Sequence, residues 1–113
     1  MKVTQSALLN SSQTAEAKKL GAALARLRIA RSMKQDQAAL RAGLSRNTAY
    51  RLEKGDPGIA MGQVLRYLEA IVPGKTLLEL LSETDPALAA LSAKEQRRRA
   101  RELSKHELEE IDF

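Results

Sequence analysis

Between Ala42 and Gly55 the chain reads AGLSRNTAYRLEKG, which sets Arg46, Asn47, Tyr50, Arg51 and Lys54 between two glycines. These side chains carry guanidinium forks, a carboxamide, a phenol and an ammonium, groups that donate hydrogen bonds and hold positive charge. A helix that only packs has no need of so many. The segment is therefore either a solvated surface helix or a surface that reads a partner. Catalytic chemistry has no comparable footing. His106 is the only histidine, and no second metal-ligand type clusters around it. Glu109, Glu110 and Asp112 are neighbouring carboxylates in a charged tail, with no pocket to shift their pKa values. There is no phosphate-binding glycine loop and no nucleophile elbow. The sequence predicts no enzyme, no cofactor and no metal.

The elements that must carry these residues come from a chain of 113 residues, long enough for one domain with a real core. It has no Cys, which excludes disulfides and thiolate metal sites and suits a reducing cytoplasm. No apolar run approaches the roughly 18 residues of a membrane span, and MKVTQSALLNSSQ lacks a signal-peptide core. Leu and Ala dominate the apolar set and aromatics are few, which favours helices over a sandwich. The net charge of +5 is unevenly spread. Residues 1–55 hold eleven Lys/Arg against three Asp/Glu, or +8; residues 56–84 are −2 and residues 85–113 are −1. A basic N-terminal half implies a polyanionic partner, most often nucleic acid.

Residues 1–13 show no sustained period and read as a flexible arm. From Thr14, as N-cap, the positions Leu20, Leu24, Leu27 and Met33 follow helical spacing. Gln35 to Ala42 forms a short helix stopped by Gly43, and Ser45 caps the next one, which runs to Lys54 and ends in Gly55 and DPG. Met61, Val64, Leu65, Leu68, Ile71 and Val72 line a fourth helix ended by Pro73 and Gly74. Thr76 and Glu79 form a capping box for a fifth, LLELL. Asp85 and Pro86 open a charged helical tail, 84–113, in which Leu91–Glu95 and Leu103–Glu107 each read as a Ser-x-x-Glu box and Leu103 with Leu108 as a hydrophobic staple. Residues 94–101 sum to +4 and residues 102–112 to −4, so the two blocks can pair with each other or with a second chain.

The segment QDQAALRAGLSRNTAYRLEKG, Gln35 to Gly55, resembles the helix-turn-helix of the phage repressor and Cro family, the xenobiotic-response-element-like regulators, antitoxin-type members included. The resemblance covers roughly residues 18 to 82. It rests on Gln35, Ala39, Gly43, Leu44, Ser45, Arg46, Thr48, Arg51, Leu52, Glu53 and Gly55 at fixed spacing. It implies an all-α, compact five-helix, lambda-repressor-like DNA-binding domain over 14–83, followed by the short helical tail. Two short helices meeting near a right angle need a small residue at Ala39, and the short connection needs Gly43. The chain departs from the family at Lys34, where a capping Thr or Ser is usual. It departs also at Ala38 and Ala49, where larger residues are usual and the freed volume falls to Leu40 or Tyr67.

In this family the third helix lies in the major groove with its first residues on base edges. The resemblance thus assigns base contacts to Arg46, Asn47, Tyr50 and Arg51, with Arg suited to guanine and Asn to adenine. Gln35, Ser45 and Lys54 fall to the phosphate backbone. Arg28 and Glu53 match a structural ion pair between the first and third helices. RRRAR, Arg97 to Arg101, reads either as a solvated charge run or as a contact to DNA phosphates or to acidic protein. The expected function is a sequence-specific regulator, a repressor, in a bacterial or phage cytoplasm. One such domain reads few base pairs, so a homodimer on a two-fold double-stranded operator is expected. The alternative is an antitoxin that binds a partner protein through its tail and autoregulates its operon.

Overall fold

The computed structural model describes residues 4–82 and 86–111, and every regular element among them is an α-helix. These are α1 (Gln5–Leu8), α2 (Ser11–Ala30), α3 (Gln35–Ala42), α4 (Arg46–Glu53), α5 (Met61–Ile71), α6 (Leu77–Leu81) and α7 (Pro86–Ile111). The five expected helices are α2 to α6. No helix of the described residues is long and apolar enough to cross a membrane.

Helix α2 begins three residues before the expected Thr14. Asn10 Oδ1 accepts from the Gln13 amide at 2.8 Å, and Gln13 Oε1 accepts from the Asn10 amide at 3.1 Å. This reciprocal box starts the helix at Ser11 and leaves Thr14 in its interior, so with α1 most of the expected arm is helical. At the other end α2 stops at Ala30, short of Met33. Ser32 adopts φ 54°, and the Met33 amide turns back onto the Arg28 carbonyl at 3.1 Å. Met33 packs on the core from the linker.

The turn between α3 and α4 follows from three residues. Gly43 takes φ 69°, which places the Leu44 amide 2.9 Å from the Ala39 carbonyl and closes the end of α3. Ser45 Oγ accepts from the Thr48 amide at 3.0 Å and starts α4. Lys34 offers α3 no acceptor, but Gln37 Oε1 reaches back to the Lys34 amide at 3.0 Å and supplies half of a capping box.

The core gathers Leu24 and Leu27 of α2, Ala38, Ala39 and Ala42 of α3, Ala49 and Leu52 of α4, Tyr67, Leu68 and Ile71 of α5, and Leu80 of α6. Of the two residues expected to fill the space beside Ala38 and Ala49, Tyr67 is fully buried and Leu40 is 82% exposed. An aromatic ring on α5 thus supplies the volume that the alanines release. Met61 and Leu65, expected on the buried face of α5, point outward instead, because the stripe centres on Tyr67, Leu68 and Ile71. Thr76 Oγ1 accepts from the Glu79 amide at 3.2 Å and caps α6, whose Leu80 is buried.

The tail is one helix rather than two locally capped ones. Leu91–Glu95 and Leu103–Glu107 both fall inside α7, so neither Ser-x-x-Glu pattern starts a helix. Asp85, expected as a cap, Asp112 and the side chain of Leu108, expected in the staple, lie outside the described residues. Helix α7 packs against α2, where the Arg26 guanidinium donates to both carboxylate oxygens of Glu95 at 2.5 and 3.3 Å. Each partner holds the other's charged form. The hydrogen bond from Arg26 keeps Glu95 below the usual carboxylate range, and the bond to Glu95 raises Arg26.

Candidate nucleic-acid interface

Helix α4 turns its apolar side, Ala49 and Leu52, into the core. At 3.6 residues per turn, Arg46, Tyr50, Lys54, Asn47 and Arg51 then share an arc of about 140° on the opposite side. Arg46, Asn47 and Lys54 are exposed and Tyr50 is 52% exposed, so its ring is a surface group and not a packing one. Lys54 Nζ sits 5.5 Å from the Tyr50 ring centroid. This cation–π contact holds the ammonium over the aromatic face and joins the two side chains into one patch.

Arg51 departs from the expectation. Its Nε donates to Asp56 Oδ2 at 2.7 Å, while Asp56 Oδ1 accepts from the Gly58 amide at 2.8 Å. The Gly58 amide, then Arg51, hold the Asp56 carboxyl below its ordinary value. Arg51 is therefore tied to the loop that leaves α4. Asp56, five residues on in the DPG turn, is the partner that sequence reasoning missed.

The other expected contacts divide in the same way. Ser45 spends its hydroxyl locally, accepting from the Thr48 amide and donating to Thr48 Oγ1 at 2.8 Å. Gln35 Nε2 donates to Glu53 Oε1 at 2.9 Å, so its amide faces the protein. Lys54 alone of the three expected phosphate contacts has its polar head outward.

Behind the face, Arg28 and Glu53 meet as the resemblance implies, and in two-pronged geometry. Arg28 Nε lies 2.7 Å from Oε2 and Nη2 lies 2.9 Å from Oε1, while Nη1 donates to the Met33 carbonyl at 2.8 Å. The Tyr67 hydroxyl also donates to Glu53 Oε2. One carboxylate thus joins α2, the start of α3, α4 and α5. The Glu53 side chain is only 6% exposed. Burial pushes its pKa up, but the hydrogen bonds from Arg28, Tyr67 and Gln35 outweigh it and leave the carboxyl below its usual range. Burial and the bond to Glu53 raise the Tyr67 phenol. Arg28, Gln35 and Glu53 floor a groove of about 290 Å³ whose rim is Tyr50 and Lys54, so the network fixes the base of the exposed patch. Tyr67 was legible only as a candidate to fill the volume beside Ala38 and Ala49; nothing in its spacing announced the hydroxyl's partner.

The arrangement offers a convex basic helix with free donors at its N-terminal end and a rigid buried anchor beneath. A family model described as a helix-turn-helix domain matches residues 19–80, more than half of the chain. No curated protein and no solved structure matches it.

Proposed function

The chain belongs to the helix-turn-helix domain family, and on that premise we propose that it is a sequence-specific double-stranded DNA-binding regulator, a repressor of bacterial or phage origin. The observation that carries this reading is the outward face of α4, where Arg46, Asn47, Tyr50 and Lys54 stand together on a half-chain of charge +8. Arg46 and Asn47, in the first turn, are the base readers, as their donor patterns suit guanine and adenine edges. Tyr50 offers an apolar edge to a thymine methyl. Lys54 supplies a phosphate contact, and Arg51 positions the following loop. Two copies on a two-fold site give the specificity that one short helix lacks.

Selection from a random duplex library at near-physiological salt tests the proposal. The expected winner is two-fold symmetric, binds at least about a thousandfold above random DNA, and loses affinity steeply with salt. Arg46→Ala then relaxes preference at one base pair, whereas Lys54→Ala weakens all sequences alike and lowers the salt slope by about one. Failure to enrich any sequence sinks the reading. A second reading, an antitoxin that grips a partner protein through its tail, draws support from the exposed stretch of α7 from Gln96 to Leu103. Co-purification of the native chain with a second protein distinguishes it.

A further inference from the structure

From Gln96 to Leu103, α7 is not packed on the described residues of its own chain. Up to Glu95 the helix is seated, with Ala87, Leu88, Leu91, Ala93 and Glu95 half-buried and the Arg26 bridge closing the contact. From Gln96 to Leu103 every residue is exposed, yet the helix continues to Ile111. A solvated stretch of this length is marginal as a helix on its own.

Its charges are sorted end to end. Residues 94–101 carry +4 and residues 102–112 carry −4. Because both blocks, as far as Ile111, lie on one continuous helix, they cannot fold onto each other. Among the described residues their meeting point carries a long i,i+4 contact, Arg98 to Glu102 at 3.8 Å. A second copy running in the opposite direction satisfies both blocks at once, each basic block lying along the other's acidic one. A parallel copy would set like charges against like.

The register follows from Leu103, an apolar residue 62% exposed at the junction of the blocks. Arg99 stands one turn before it and Glu107 one turn after, while Gln96 and Glu110 stand about two turns away on the same stripe. If the two-fold axis passes through Leu103, Arg99 faces the partner's Glu107, the partner's Arg99 faces Glu107, and Gln96 faces the partner's Glu110. We propose that residues 96–111 of α7 pair antiparallel with the same segment of a second copy, centred on Leu103. This deepens the two-fold reading above by naming the surface that makes the pair, and its test uses no DNA.

Sedimentation of the full chain across concentration should show a monomer–dimer equilibrium that weakens as salt rises. Arg99→Glu alone and Glu107→Arg alone should each weaken self-association about tenfold, since each turns two attractions into two repulsions. Mixing the two variants should restore a heterodimer. The absence of Cys from the chain makes orientation readable by disulfide formation. Leu103→Cys should cross-link to itself, and Gln96→Cys should cross-link to Glu110→Cys but not to itself. A chain monomeric to millimolar concentration, a dimer indifferent to salt and to both reversals, or self-cross-linking of Gln96→Cys would each overturn the proposal. Loss of DNA selectivity with the dimer intact would sink the functional reading and leave this one standing.

Discussion

Gly21 of α2 and Gly55, just past α4, meet backbone to backbone: a β-carbon built on Gly21 would lie 2.6 Å from the Gly55 amide nitrogen and 2.6 Å from the Leu52 carbonyl oxygen. No flexible side chain is available there to yield. The helix that carries Arg46 and Asn47 is thus held against α2 at its C-terminal end by bare backbone, as it is held at Glu53 by Arg28.

Gly21→Ala should therefore destabilise the domain although alanine is the better helix former by about 1 kcal/mol. Pushing α2 and α4 apart costs about 1–3 kcal/mol as overpacking does. Thermal unfolding should show a fall of several degrees. An unchanged or raised Tm would mean that the crossing relaxes freely.

The buried Glu53 network gives a pH signature. The folded carboxyl titrates below its unfolded value, so its contribution is fully present above that unfolded value, about pH 4.3, and is lost as pH falls through the folded one. Glu53→Gln strands the Arg28 guanidinium and should cost about 3–5 kcal/mol at pH 7. The gap between the two proteins should narrow as pH falls below the unfolded value and close only once pH has passed the lower folded one, where protonation leaves the native side chain neutral as well. Denaturant melts at pH 7 and at steps down through the acid range measure both, and a gap constant with pH would rule the network out as its source.

The legible parts of this molecule were those encoded by local periodicity or by caps of fixed spacing. Gly43, Ser45 and Thr76 act where their residue types said they would, and α3 and α4 follow from them. Illegible were interactions whose partners are distant in sequence or compete with a local alternative. The bond from Arg51 to Asp56 was hidden because only the helix face of Arg51 is visible in its spacing, while Asp56 lies in a turn. Ser92 carries a capping signature that the strong helix formers around it override. Gly21 sits inside a helix without any local reason, and its reason is Gly55. The caps at Lys34 and, ahead of Thr14, at Asn10 are completed by glutamines reaching back to the chain, a signal present in the sequence at Gln37 and Gln13.

Ser32 holds φ 54°, a left-handed conformation that costs a residue with a β-carbon about 1–2 kcal/mol. Ser32→Gly should relieve it and raise stability by up to about 1 kcal/mol once the added freedom of the unfolded chain is counted. Ser32→Val should lower stability instead, since branching worsens the same clash. Equal melting temperatures for the three proteins would show that the turn shifts to another conformation in solution.

The Arg51–Asp56 pair separates two roles for one arginine. Both side chains are partly solvated, so breaking the pair should cost no more than about 1 kcal/mol, and Arg51→Ala and Asp56→Ala should lower stability alike. Their DNA behaviour divides the roles. If Arg51 acts by holding the loop, the two variants should weaken binding to the selected duplex to the same modest degree without altering base preference. If Arg51 leaves Asp56 to reach a base on binding, Arg51→Ala should lose about 1–3 kcal/mol of discrimination at one base pair, while Asp56→Ala, which frees the guanidinium, should keep that preference. The geometry of the free chain, with Nε 2.7 Å from Oδ2, favours the first outcome. Parallel selections with the two variants and the parent decide between them, and divergent base preferences would return Arg51 to the reading face.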